Sequence, residues 1–378
     1  MAIKIWVGKR ESDILTYQYF DVSITFFGSN TNNNHSFCIS NRIKPNYNKK
    51  FTEFVRHLLI KYISSDENIE IHFYNNEFAY KLISLEPLLK KYIVNINSKR
   101  LLDITRHKTL SRVWLQNTID VPNFACLSKN ECHYKQLICK YPSYNKFIVQ
   151  KNISGGGEGT YLVDKYNCER VLSNLVADDI YLVSPYYESN ISLSCHLLID
   201  YKRVTVFPIS QQLLSYDNNK IAYRGNKYLD NNDTLAIQVK NKAIDVGKRL
   251  MEIHYRGICG LDFIFTKNSI LLIEINPRYQ GSSYLLNAVL KMHNLPSLFE
   301  LNSICFAGNG ISNDITSQIE KMQVPFESYT SVYKTGESID IKNYPQNVLL
   351  FLDGLSNAKE YENGVYLYRY LKPESESK

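Results

Sequence analysis

An α/β fold built of more than one unit is predicted by three features of the 378-residue sequence. The first hundred residues alternate short β-rich runs with amphipathic helical stretches, the order that builds a parallel sheet. Further on, a strand runs into a glycine loop and straight into another strand, and near residue 270 two apolar runs are joined by a tight turn; both read as antiparallel hairpins. The 44% hydrophobic and 21% charged content is enough to bury a core for two or three domains, and excludes disordered, collagen-like and coiled-coil chains.

Taken in order, residues 3–7 and 20–27 are rich in β-branched and aromatic side chains and read as strands. Residues 51–62 carry apolar positions at helical spacing, 69–74 form a further strand and 78–89 a second helix. The polar run 28–35 (GSNTNNNH) is a loop by composition. No G-x-G-x-x-G follows residues 3–7, so the dinucleotide-binding fingerprint is absent there.

A helix is expected over 103–118, carrying Arg106, His107, Lys108 and Arg112, and Val121-Pro122 opens an extended segment. A helical stretch around 132–141 precedes strand 146–151, the loop Ser154-Gly155-Gly156-Gly157-Glu158-Gly159 and strand 161–163. Apolar runs 180–183 and 192–199 flank Ser184-Pro185-Tyr186-Tyr187-Glu188; a helix over 233–255 and strands 260–266 and 270–275 follow. From residue 310 short strand-like pieces, 349–352 and 365–371, alternate with turns, and 373–378 reads as a frayed tail.

The excess of 44 Lys+Arg over 37 Asp+Glu gives +7, spread along the chain. That suits an anionic ligand as well as a nucleic-acid surface. The 29 tyrosines and many asparagines accompany frequent Lys and Ile, a pattern of AT-rich coding bias, so no nucleic-acid partner is expected. The eight cysteines form no C-x-x-C pair and read as buried, reduced thiols of a cytoplasmic protein. No apolar run reaches the ~20 residues of a bilayer span, and no membrane partner is expected.

Chemistry concentrates in two places. Glu274, Asn276 and Arg278 alternate along a strand and share one face, and a tight turn brings Asp262 opposite them. Two carboxylates and an amide are hard oxygen donors that suit Mg²⁺ and leave Mn²⁺ open, whereas zinc would call for His or Cys. Arg278 adds a forked cation for a phosphoryl group or carboxylate. The second place is Lys151, which aims a point charge at the same anion as the backbone amides of the glycine loop. His196 and His254 read as packed or surface residues.

The order of Lys108, Lys151 with its glycines, the segment ending at Glu188, Asp262 and Glu274-x-Asn276-Pro277-Arg278 resembles the ATP-grasp superfamily of carboxylate–amine ligases and biotin-dependent carboxylases. The resemblance covers residues 100–310, and its most specific motif is EINPRYQGSS from Glu274. It implies an ATP-grasp fold behind an N-terminal Rossmann-like α/β domain: residues 1–100, ATP-grasp parts 101–185 and 186–310, and a C-terminal extension 311–378 completing the catalytic domain. It implies ATP and magnesium, with Lys108 and Lys151 as the two nucleotide lysines, and Gly155, Gly156, Gly157 and Gly159 in the loop over the phosphates. Asp262, Glu274 and Asn276 match the metal ligands, and Arg278 and Lys151 the groups that steady the transferred phosphoryl.

Where the family has an acidic pair before an aromatic, this chain has Ser184-Pro185-Tyr186-Tyr187, which leaves backbone contacts near Tyr186 and Tyr187 for the base and Glu188 for the ribose. Arg224, Gly281 and Ser282 fall where similar enzymes face the substrate. The implied reaction joins a small carboxylate to an amine through an acyl phosphate, releasing ADP and phosphate, with amino acids or small peptides as substrates. A biotin-carboxylase-like enzyme ranks second, although no Met-Lys-Met attachment site occurs, and a non-catalytic nucleotide-binding regulator comes next. A homodimer is compatible with the resemblance, but no periodic seam marks one.

Overall fold

The structure, a computed structural model, describes residues 2–14, 16–27, 36–38, 49–65, 68–154, 159–188, 191–217, 220–267, 269–324, 326–332, 349–352 and 366–373. The chain opens with β1 (Ile3–Arg10), β2 (Val22–Phe27), β3 (Ser36–Cys38), α1 (Lys49–Ser65), β4 (Ile69–Phe73) and α2 (Asn76–Leu85). Their strands form one parallel sheet in the order β3-β2-β1-β4. Consecutive Ile5, Trp6 and Val7 are all buried, the mark of a strand covered on both faces. On α1, Phe51, Val55, Leu59 and Ile63 recur every fourth residue and pack into that core.

Two expected helices end early for local reasons. The helix predicted over 78–89 stops at Leu85, because Pro87 opens a 3-10 turn, Pro87–Lys91, and disfavours helical backbone at Glu86. The helix predicted over 103–118 is two: α3 (Lys99–Arg106) and α4 (Lys108–Leu115). Between them His107 takes extended backbone, φ −82° and ψ 108°, and its Nδ1 accepts the Leu110 amide at 3.4 Å. This cap makes Lys108 the first residue of a new helix.

The remaining elements are β5 (Ala125–Ser128), α5 (Tyr134–Lys140), β6 (Phe147–Lys151), β7 (Thr160–Val163), α6 (Cys168–Ser173), β8 (Ile180–Pro185), β9 (Ile191–Ile199), β10 (Val204–Val206), β11 (Ser210–Asp217), β12 (Lys220–Tyr228), α7 (Thr234–Glu252), β13 (Gly257–Phe265), β14 (Ile270–Asn276), α8 (Ser283–Met292), α9 (Leu298–Ala307), α10 (Asn313–Lys321), β15 (Phe326–Val332), β16 (Leu349–Leu352) and β17 (Tyr366–Pro373). Their strands join in one sheet with the main path β14-β13-β9-β11-β12-β7-β6-β8-β5. The β6–β7 and β13–β14 pairs are antiparallel, as the two hairpin readings expect.

One core lies between α7 and β9/β13, a second under α5, α6, β6 and β8. A third is aromatic: Trp6 meets Tyr279 at 5.5 Å and Phe299 at 5.1 Å, tying the N-terminal sheet to the segment just after β14. Asn76 reinforces the junction by donating to the Pro277 carbonyl at 3.3 Å.

The cysteine expectation needs correction. All eight are free, but Cys126 and Cys139 are exposed and Cys38 is half-buried, since they fall at edges of their elements and not in apolar cores. The 28–35 loop, Gly155, Gly156, Gly157 and the tail 374–378 lie outside the described residues. No helix among the described residues is long and apolar enough to cross a membrane.

Candidate functional site

The β13–β14 hairpin sets the geometry. Its register places Asp262 opposite Glu274 and Gly260 opposite Asn276, with an irregularity just after Asp262. Glu274 and Asn276 are two residues apart on one strand and so share a face. Asn276 donates from Nδ2 to Asp262 Oδ2 at 2.8 Å, and Arg278 donates from a guanidinium nitrogen to Asn276 Oδ1 at 3.1 Å. The other arm of Arg278 donates to the Tyr279 carbonyl at 2.9 Å.

Helix α4 supplies the cations. Lys108 is 2% exposed, and its Nζ reaches Glu274 Oε1 at 3.1 Å, the Ser154 carbonyl at 3.3 Å and Ser154 Oγ at 3.2 Å. Arg112, one turn later and also buried, donates to the Ile273 carbonyl at 3.3 and 3.4 Å. Both therefore grip β14, at a sheet edge that carries Glu274. Burial lowers the Arg112 guanidinium to about 10, with Glu274 opposing the shift, and its NH1 has no hydrogen-bond partner among the described residues.

Burial, and then the facing Glu274 carboxylate, raise Asp262 from the ordinary carboxylate range to about 7. Two carboxylates held in register are stabilised when a cation shares them. No cluster of three or more His, Cys, Asp or Glu capable of holding a metal occurs among the described residues. The hairpin brings together two carboxylates and an amide, all oxygen donors, and their chemistry fits a hard divalent cation.

Lys151 ends β6, where its amide donates to the Gly159 carbonyl at 3.0 Å. Gly159 has φ +67°, and a Cβ there would sit 2.9 Å from the Lys151 side chain, so glycine is required on both counts. The Tyr186 amide donates to the Lys146 carbonyl at 2.9 Å, and the Tyr187 hydroxyl accepts from the Asn123 amide at 3.3 Å. Glu188 is exposed and pairs with Lys146 at 2.9 Å. Arg224 lies half-buried on β12 between Tyr223, whose hydroxyl donates to Asn226, and Gly225. Gly281 lies against the Tyr223 ring, and Ser282 precedes α8 and hydrogen-bonds the Tyr228 hydroxyl.

Sequence reasoning did not assign Gln212, which comes from β11 to donate to Asp262 Oδ1 at 2.9 Å. Nor did it assign Gln280, whose Nε2 reaches the same oxygen at 3.4 Å. A Cβ on Gly260 would lie 2.0 Å from the Gln280 side chain. Gly260→Ala is thus expected to push Gln280 off Asp262 and weaken divalent-cation affinity by about fivefold (~1 kcal/mol); Mn²⁺ titration checks this, and wild-type affinity contradicts it.

His196 is buried, its Nε2 2.9 Å from Ser283 Oγ, and Ser283 Oγ also accepts the Gln280 amide at 2.9 Å. Burial, then Arg278, lower His196 to about 3; burial, then Lys4, lower His72 to about 4. A histidine depressed by folding stabilises fully above its unfolded value near 6.5, and that contribution is lost as pH falls toward the folded value. Asp262, being raised, acts in the opposite sense between 7 and 4. With two histidines against one carboxylate, stability is expected to fall by about 1.4 kcal/mol per pH unit from pH 6 to 4.5. Melts showing a rise over that range would contradict the assignment.

Residues 105–282 match the sequence model of the ATP-grasp domain, the segment that runs from the end of α3 to the residue before α8. Residues 105–282 therefore carry an ATP-grasp domain, and the fold of the chain is the ATP-grasp fold.

Among curated proteins it resembles the [Butirosin acyl-carrier protein]--L-glutamate ligase of Niallia circulans, 22% identical over 217 residues, which are 54% of this chain and 50% of that protein. The chain thus spans half the length of that relative. Among solved structures, N5-carboxyaminoimidazole synthetase from Staphylococcus aureus complexed with ADP aligns over 98% of this chain and 93% of its own, with TM-score 0.66 and 13% identity. The biotin carboxylase domain of Hydrogenobacter thermophilus 2-oxoglutarate carboxylase, in complex with MgADP, ADP and bicarbonate, aligns over 99% and 86% with TM-score 0.67 and 13% identity. At these identities the two structures speak for the fold alone.

Proposed function

We propose that the protein is an ATP- and Mg²⁺-dependent carboxylate–amine ligase that forms an amide bond and releases ADP and phosphate. The observation that carries this reading is the in-register Asp262–Glu274 pair with Asn276, gripped by Lys108 and flanked by Arg278. Its amino-acid or small-peptide substrates follow from the resemblance stated above, and the acyl-carrier-protein–glutamate ligase activity named for the relative is compatible with it.

In this reading a carboxylate oxygen attacks the γ-phosphorus of ATP and the bond to the ADP oxygen breaks. The amine then attacks the acyl carbon, the phosphate oxygen leaves, and the amine proton passes to solvent. Asp262, Glu274 and Asn276 would hold magnesium, which when bound supplies charge neutralisation between the phosphates. Lys108 and Lys151 hold the nucleotide phosphates. Arg278, whose fork is fixed by Asn276 and the Tyr279 carbonyl, orients the phosphoryl oxygens. The segment at Tyr186, Tyr187 and Glu188 receives base and ribose; Gly159 closes its loop toward the phosphates; and Arg224, Gly281 and Ser282 face the substrates. No acid–base pair on the protein is needed.

The likeness to a biotin carboxylase domain keeps a carboxylase as the second reading, with bicarbonate as the carboxylate. The test is ADP release with MgATP across pools of amino acids and small carboxylic acids, with mass spectrometry of products. A product lighter by one water than its parts supports the ligase; ADP release dependent on bicarbonate supports the carboxylase. ATP binding without turnover in any pool argues for a regulator.

A further inference from the structure

Lys108 and Glu274 have been given separate tasks, one toward the nucleotide and one toward the metal, yet they are bonded to each other. Lys108 is buried and Glu274 half-buried, 2% and 19% exposed on their side chains, with Nζ 3.1 Å from Oε1. At 2% exposure Lys108 has no solvent to turn to, and its other partners among the described residues are the carbonyl and hydroxyl of Ser154. Arg112 anchors α4 on β14 separately, through the Ile273 carbonyl, so the helix does not depend on the Lys108–Glu274 bond alone for its place.

We propose that Lys108 and Glu274 form an exchangeable ion pair that couples metal binding to nucleotide binding: a divalent cation takes Glu274 and releases the Lys108 charge to the phosphates. The inference rests on the proposed MgATP site and names how that site is regulated. Its physical basis is that a buried charge stripped of its partner is costly, so neither ligand alone can claim its residue without orphaning the other. A metal-free nucleotide must compete with Glu274 for Lys108. A metal without nucleotide must compete with Lys108 for Glu274. When both arrive each charge finds a new partner, and the two bind cooperatively, reciprocally and by the same factor.

The test uses the full-length chain and two probes, ADP in EDTA and Mn²⁺ alone, with wild type, Glu274→Gln, Lys108→Met and the double variant. ADP affinity is read by calorimetry and Mn²⁺ affinity by electron paramagnetic resonance. Glu274→Gln is expected to raise metal-free ADP affinity about tenfold, and Lys108→Met to raise Mn²⁺ affinity by a similar factor. Removing a negative charge also relieves plain repulsion of the phosphates, and the double variant separates the two effects. Under exchange, Glu274→Gln gains little once Lys108 is Met.

An equal gain in both backgrounds, or Mn²⁺ affinity unchanged in Lys108→Met, overturns the exchange. Wild type that binds no MgADP at all overturns the nucleotide-site reading instead. If Glu274→Gln fails to fold by circular dichroism, Mn²⁺ titration of Lys108→Met is set against that of Lys151→Met, which also removes a cation: a gain confined to Lys108→Met supports the exchange, and equal gains or none reject it.

Discussion

Glu274→Ala is expected to remove turnover and Mg²⁺-dependent nucleotide binding together, lowering kcat/KM by at least about a thousandfold, or ~4 kcal/mol. Glu274 faces Asp262 across the hairpin and meets Lys108 across the α4–β14 contact, so one substitution disturbs both residues. Alanine removes the proposed ligand and also leaves the buried Lys108 ammonium with Ser154 as its partner among the described residues. The second loss also threatens the fold, since an orphaned buried charge costs ~3–5 kcal/mol. Glu274→Gln keeps the shape and is the companion variant. An active Glu274→Ala protein would remove the metal assignment from this residue.

Arg278→Lys is expected to lower kcat about a hundredfold while changing ATP affinity by no more than about threefold, measured by turnover and by direct nucleotide binding. The guanidinium spends two arms on the protein, one on Asn276 Oδ1 and one on the Tyr279 carbonyl, and so faces the phosphoryl region as a plane of fixed orientation. A lysine ammonium carries the charge without the plane, and it cannot hold Asn276 and the backbone in the same geometry. The loss therefore belongs in the transition state and not in ground-state binding. An Arg278→Lys protein with wild-type kcat would show that charge alone suffices there.

Much of the site was legible because a strand repeats every two residues. Alternation alone put Glu274 and Asn276 on one face, and the short turn at 267–269 implied that Asp262 lies across from Glu274, the pairing the structure has. The N-terminal sheet was readable because short β-rich runs alternate with amphipathic helices, the order that builds a parallel sheet, and the buried Ile5-Trp6-Val7 run of β1 is covered on both faces. The hairpin reading of strand, glycine loop and strand holds in β6 and β7, although the central glycines lie outside the described residues.

What was not legible depends on contacts between distant parts of the chain. Helical periodicity runs smoothly through His107, so nothing in spacing revealed that its side chain caps a new helix and starts it at Lys108. Arg112 read as one basic residue among several; being four residues after Lys108 placed it on the same face, but only docking on β14 shows that the face is buried. Gln212 arrives from β11 and Gln280 folds back over Gly260, and side-chain amides carry no periodic signal to announce that they end on Asp262. The aromatic junction of Trp6 with Tyr279 and Phe299 spans nearly the whole chain, and composition could only register its rings as abundant.

The central claim is phosphoryl transfer to a carboxylate, and oxygen-18 tracing tests it most directly. Once a substrate pair supports ADP release, the carboxylate is labelled with oxygen-18 and the released phosphate is examined by mass spectrometry. The account predicts one labelled oxygen per phosphate, because the carboxylate oxygen that attacks phosphorus leaves with it when the amine opens the acyl phosphate. Amide formation with unlabelled phosphate would contradict that route, and with it the role given to Arg278 and the Asp262–Glu274–Asn276 site.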